Sequence, residues 1–178
     1  MTRWAALLRG INAGVKLPMA DWRAFLKRQG LADVATLLAS GNAVFTSDED
    51  DGAALEQRLA AAMAAELGIR TAWFLRSHAE LAAIAAADPF PDATAAHPNH
   101  VQVHFYHAAV DRALIDAVAA IHDGPERLHA IGRELYVDYP DDIGHSKLPA
   151  AMRKAGLAAE STGRNWNTLV KLVAATGG

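Results

Sequence analysis

Residues 34–46 read VATLLASGNAVFT. Two apolar runs, Val34–Ala39 and Ala43–Thr46, flank Ser40-Gly41-Asn42, a composition suited to a tight turn between antiparallel strands. Towards the N-terminus, Arg3–Arg9 reads as a strand and Gly10–Leu17 as a loop. Pro18–Gln29 is an amphipathic helix, with Met19, Trp22, Phe25 and Leu26 on one side and Gly30 as its stop. Towards the C-terminus, the acidic run Asp48–Asp51 precedes a helix whose Leu55, Leu59, Met63 and Leu67 recur every four residues. Acids at that end complement the helix dipole. Gly68 closes the helix, and Thr71–Arg76 is a further strand. The order strand, helix, strand, strand, helix, strand is the split βαβ pattern of a ferredoxin-like unit.

The pattern then starts again. Ser77 and Glu80 form a capping-box pair ahead of Leu81 and Ile84 in a connecting helix. Asp88–Asn99 holds Pro89, Pro91 and Pro98 and reads as a linker. Val101–Tyr106 is a strand and Asp111–His122 a helix closed by Gly124-Pro125. Arg127–Ile131 and Glu134–Tyr139 form a hairpin around Gly132. A polar loop, Pro140–His145, leads to a short helix from Ser146, and a last helix runs from about Asn165 to Ala175. The fourth strand is expected to be either missing or very short, around Leu157–Glu160. The fold class is therefore α+β, two ferredoxin-like subdomains packed together. The expected division is 1–76, a connecting helix and linker over 77–99, and 100–178.

The strands of the halves are patterned differently. WAALL, VATLLA and AWFL are apolar at consecutive positions, so the first sheet is expected to be covered on both faces. Its own helices cover one side. The second half, or a second subunit in a homodimer, would cover the other. The second-half strands alternate, with Val101, Val103 and Phe105 opposed to Gln102, His104 and Tyr106, and Leu135 and Val137 opposed to Tyr136 and Asp138.

The 178 residues are 52% hydrophobic and 21% charged, the balance of an ordinary globular chain. No apolar run approaches the roughly 20 residues of a membrane span, and Trp4–Leu8 is too short for a signal-peptide core. With no cysteine, disulfide and thiolate chemistry are excluded and a cytoplasmic setting is expected. The net charge of −3 is uneven: residues 1–30 carry +5, residues 147–178 carry +4 and the middle carries −12. The basic ends either form one anion-attracting surface or are ordinary solvated helix faces.

Candidate ligand residues fall at those ends. Gly10-Ile11-Asn12-Ala13-Gly14 follows a strand and precedes a helix, where glycines let backbone N–H groups approach an anion. The spacing is neither a dinucleotide fingerprint nor a Walker loop, and a plain strand-to-helix turn is the competing reading. In a split βαβ unit the end of the first strand lies at the same sheet edge as the turn after the second, which places Asn12 near Ser40-Gly41-Asn42. Arg9, Asn12, Gly14, Lys16, Ser40 and Asn42 are the candidates there. At the other end, Asn165 is a natural N-cap and Trp166 shares a stripe with Leu169, Val170 and Val173. Arg164 and Asn167 place donors beside that helix start. Ser146 caps the preceding helix, and Lys147 is either solvated or an anion ligand.

His97, His100, His104 and His107 fall within eleven residues, but none has a helix-face spacing for a metal and no cysteine joins them. No G-x-S-x-G elbow marks a serine nucleophile. No metal or cofactor is expected, and the residues name no reaction.

LLRGIN at 7–12, Pro18-Met19, SGNAVF at 40–45, GHSKL at 144–148 and RNWNTLVKL at 164–172 together resemble the domain-of-unknown-function family 1697 (DUF1697), small and mostly bacterial proteins. The resemblance runs the length of the chain. It implies a pair of ferredoxin-like subdomains and supplies no catalytic residue. Two features depart from the family pattern: AGVKLP after Asn12 is short, and His145 stands where the family usually has arginine, which removes a bidentate fork.

The leading expectation is a binding protein for a small anionic or phosphate-bearing ligand held by both chain ends. RNA or single-stranded nucleic acid ranks behind it, with Tyr106, Tyr136 and His104 as a stacking face, against a net negative charge. An oligomerisation module without a small ligand is the third.

Overall fold

A computed structural model describes all residues, Met1–Gly178. The chain is mixed α+β, with two four-stranded antiparallel sheets and seven helices. It divides into two compact units, Met1–Ala85 with Lys171–Gly178, and Ala86–Val170. The connecting helix thus belongs with the first unit rather than with a linker, and the chain's last eight residues rejoin the first unit rather than completing the second. No helix is long and apolar enough to cross a membrane.

The first unit runs β1 (Thr2–Leu8), α1 (Met19–Arg28), β2 (Ala32–Leu37), β3 (Asn42–Ser47), α2 (Gly52–Leu67), β4 (Trp73–Ser77) and α3 (His78–Ala86). The sheet order is β2-β3-β1-β4. Trp4, Ala6 and Leu8 point to the helices and pack with Trp22, Phe25, Leu55, Leu59 and Met63. Trp22 meets Trp73 edge-on, with ring centroids 6.3 Å apart at 79°. The opposite face is also buried along β1, β3 and β4, at Ala5, Leu7, Val44 and Phe74, but the VATLLA run does not follow that expectation: β2 is an edge strand with no fully buried residue, and Leu38 just beyond it is 49% exposed. The Gly68 stop and the Ser77–Glu80 box are those the sequence names, and Asp51, expected only to complement the helix dipole, is also a side-chain cap. Asp51 accepts from Ala53 and Ala54 N–H at the start of α2, and Gly68 ends it in the left-handed region at φ 66°. Ser77 N–H donates to Glu80 at 2.8 Å while Glu80 N–H donates to Ser77 Oγ at 3.3 Å, a reciprocal capping box. The last residues hold this unit's edge, where Arg3 Nη2 donates to the Ala175 carbonyl at 3.3 Å.

The second unit runs α4 (Pro91–Ala96), β5 (Val101–Phe105), α5 (Arg112–Ile121), β6 (Arg127–Ile131), β7 (Glu134–Asp138), α6 (Leu148–Lys154), β8 (Thr162–Asn165) and the start of α7 (Trp166–Gly177). Its order, β6-β7-β5-β8, repeats that of the first unit. Three expectations change here. The proline-rich segment is not bare linker: Pro91, at the first turn of α4, starts a short helix, because a missing N–H costs nothing there. The fourth strand lies at Thr162–Asn165, not Leu157–Glu160, since the β-ladder pairs Gln102 with Asn165 and Phe105 with Thr162. The buried stripe of α7 is Trp166, Leu169 and Leu172, whereas Val170 is 50% exposed.

The register also reverses the expected faces. Val103 pairs with Tyr136 and His104 with Leu135. Paired residues share a face, so the apolar side of β5 lies with the polar side of β7. Leu135 and Val137 face α5 and α6, together with Val118, Leu148 and Met152. His104 lies on this helix-covered face. Burial pushes its imidazole down to about 4, and its Nε2 has no hydrogen-bond partner.

Candidate functional site

The first unit brings Asn12 to the β2–β3 turn, as the topology demands. Asn12 Nδ2 donates to the Ala39 carbonyl at 2.6 Å, and its Oδ1 accepts from Leu17 N–H at 3.1 Å. Asn12 sits in the left-handed region at φ 59°, which asparagine tolerates best after glycine. Gly41 is left-handed too, at φ 82°, and a Cβ there would lie 3.0 Å from Ile11 and 3.1 Å from Leu8, so the two turns close on each other only with glycine. Asn42 is buried and donates to the Leu37 carbonyl at 3.1 Å and to Ser40 Oγ at 2.9 Å.

This cluster is a clasp. The loop amides that would greet an anion bond within it: Asn12 N–H donates to Val15, and Gly14 N–H donates to Gly10. Arg9 and Lys16 are exposed, and Lys16 borders a separate hollow of about 300 Å³ with Pro18, Asp21 and Arg28.

The second unit carries the built cavity. It holds about 250 Å³ between the end of α5, the start of β6 and the 141–147 loop. Ser146 and Lys147 line it, and so do His122, Glu126, Tyr139 and Asp142. Gly124-Pro125 turns the chain between His122 and Glu126. The His122 Nε2 then lies 2.7 Å from one Glu126 oxygen, while the Ser146 hydroxyl donates to the other. Both partners are nearly enclosed, with side chains 12% and 5% exposed for His122 and Glu126. Burial pushes the Glu126 carboxyl up, but the hydrogen bonds from Ser146 and His122 outweigh it and hold the group below its usual range. The carboxylate is therefore ionised at neutral pH. Ser146 Oγ also accepts from Leu148 N–H at 3.0 Å, opening α6 as the sequence suggests.

On the rim, Asp142 accepts from Gly144 N–H at 3.1 Å and lies 2.7 Å from the His145 Nδ1. Those two contacts, in that order, hold its carboxyl low. His145 itself is 91% exposed in its side chain, so it borders the cavity without closing it. No group of three or more histidines and carboxylates is placed to hold a metal ion.

Arg164 and Asn167 do not join that lining. Arg164 is on β8, not at an open helix start. Its Nη1 donates to Thr162 Oγ1 at 2.6 Å and to the Gly163 carbonyl at 2.8 Å, and burial pushes it down to about 10. Asn167 is exposed on α7, while Asn165 caps it by accepting from Thr168 N–H at 2.9 Å. The stacking face is dispersed as well. Tyr136 is 1% exposed and lies on the sheet face opposite to His104, and Tyr106 turns its hydroxyl to the Leu157 carbonyl at 2.6 Å.

A family model described as a protein of unknown function, DUF1697, matches residues 1–136. The chain belongs to the DUF1697 family. The DUF1697 match takes in Met1–Ala85 of the first unit but not its last eight residues, includes His122 and Glu126 of the second, and ends before the 141–147 loop. The chain is also similar to a solved structure, the conserved bacterial protein SP0830 from Streptococcus pneumoniae. The identity is 25%, the alignment covers 100% of this chain and 99% of that one, and the TM-score is 0.77. No curated protein matches the chain. His122, Glu126, Tyr139 and Asp142 were missed by sequence reasoning. Only the i,i+4 spacing of His122 and Glu126 and the i,i+3 spacing of Asp142 and His145 hinted at them.

Proposed function

We propose that this protein binds a small polar ligand in the second-unit cavity. The observation that carries this reading is the enclosed Glu126 carboxylate, held ionised at the cavity by Ser146 and His122. A buried charge is expensive and, when it borders an open hollow, is a candidate for ligand chemistry. The anionic ligand expected from the basic chain ends finds less support. The first-unit amides are bonded internally, Arg164 is bonded to its own strand, and Lys147 stands among carboxylates. Nucleic-acid stacking loses support because its aromatic candidates are buried or bonded elsewhere.

Within the same reading, each unit is a ferredoxin-like subdomain, supported by the repeated strand order with helices crossing from β1 to β2 and from β5 to β6. A cytoplasmic setting is supported by the absence of cysteine.

The test is thermal melting with a broad panel of metabolites of both charges. A ligand at 100 times its Kd stabilises by about 2.7 kcal/mol, an upward shift of roughly 5–10 °C for a chain of this size. Glu126→Gln should abolish the shift. A panel with no stabilising compound, or a shift untouched by Glu126→Gln, removes the cavity as the site.

A further inference from the structure

Tyr139 separates the cavity from an ordinary surface dent. Tyr139 is 1% exposed, packs in the helix-side core, and is one of the residues that line the cavity. Its hydroxyl makes no hydrogen bond within the protein. Buried phenols normally find a partner, because a hydroxyl removed from water without one is costly. Burial, reinforced by the nearby Glu126 charge, pushes the phenol up to about 12, so it keeps its proton and can both accept and donate.

The charge around that hydroxyl has one sign. Asp123, Glu126, Asp141 and Asp142 line the cavity against a single ammonium, Lys147. The lining is negative by three charges with both imidazoles neutral, and still negative with both protonated. The volume equals about eight waters at liquid density, which limits a ligand to a small molecule. No three of these side chains converge as ligands for a metal ion. A compact organic ammonium satisfies all of these features. Its N–H groups would donate to Glu126 and to the phenol oxygen, and its charge would offset the acidic rim.

We infer that the cavity is selective for a small organic cation, a primary ammonium compound seated between Glu126 and Tyr139, with Asp142 at its mouth. This inference rests on the cavity being the ligand site and adds the chemical class.

Three four-carbon probes of different charge test it: 1,4-diaminobutane, 1,4-butanediol and succinate. Each is titrated into the full chain and followed through the backbone amide resonances of residues 122–126 and 141–147. The diamine should shift those amides and the other two should not. Glu126→Gln should weaken diamine binding at least about tenfold, the scale of one hydrogen bond to a charged group. Tyr139→Phe should weaken it several-fold while leaving the melting temperature unchanged, an outcome that a purely structural tyrosine would not produce. Lys147→Ala should strengthen it by removing like charge, and it keeps the test informative if Glu126→Gln folds poorly. Succinate or butanediol shifting the cavity amides while the diamine does not would overturn the cation class and leave the site standing. No shift from any probe at millimolar concentration would overturn the class as well, and a flat metabolite panel beside it would remove the site itself.

Discussion

In the first sheet Ala5 stands between Val44 and Arg76, and in the second Val103 stands between Tyr136 and Arg164. Two residues on, Leu7 lies between Asn42 and Phe74, and Phe105 between Glu134 and Thr162. These are the faces turned away from the helices. An arginine occupies the same point of the fourth strand in both units, 1% exposed in one and 7% in the other. The helix-side faces differ more. Ala6 lies between Ala43 and Leu75, whereas His104 lies between Leu135 and Gly163. The bulk has changed places: the second unit moves volume from the edge strand to the central one. The comparison teaches that one β-lattice accepts different fillings where neighbours compensate, and keeps a guanidinium at one shared position.

Removing either arginine should test that shared position most severely. Arg76→Ala and Arg164→Ala are each expected to cost about 3–5 kcal/mol in urea melts, because their buried hydrogen-bond partners are stranded. A near-neutral result for only one of them would break the equivalence.

The imidazole at His104 comes next. Its folded pKa, about 4, lies below the ordinary 6.5. The neutral form is favoured in the fold, so its contribution is complete above pH 6.5 and is lost as the pH falls towards 4. That amounts to about 3 kcal/mol across the window. His104→Ala, the residue of the first unit, should flatten that part of the stability profile. Losses at lower pH, from Glu126 and Asp142, should remain, since both carboxyls are held below their usual values. An unchanged profile would show that the ring is solvated.

The exchange of volume can be reversed directly. A Cβ on Gly163 would meet the His104 ring at 3.0 Å. Gly163→Leu alone should therefore cost about 1–3 kcal/mol, and adding His104→Ala should recover most of it. Additive losses in the double variant would mean that the two positions do not compensate.

The clasp at the first unit's turn is a smaller effect. Asn12→Ala should cost about 2 kcal/mol from lost hydrogen bonds and left-handed strain, and Asn12→Gly less, because glycine relieves the strain. Equal losses would show that backbone geometry is irrelevant there. Smallest of all, Tyr139→Phe should leave stability within about 0.5 kcal/mol, since its hydroxyl has no internal partner.

Much of this architecture is legible along the chain. The Asp51 cap, the Ser77–Glu80 box, the Gly68 stop and the Asn165 cap act within a few residues, so their chemistry is visible without a fold. The clasp between Asn12 and the Ser40–Asn42 turn followed from the order of elements. The fourth strand of the second unit was misplaced because TGRN has little strand character and forms only by pairing with β5.

Local patterns, then, were enough for most helices and strands, several caps and the repeated order, because period and capping are short-range. Which strand faces coincide was beyond them. Both β5 and β7 alternate cleanly, and only the register sets one alternation against the other. The cavity was likewise out of reach: Ser146 is twenty residues from Glu126, and a hydroxyl, a carboxylate and an unpartnered phenol acquire a common environment only when burial and chain crossing bring them together.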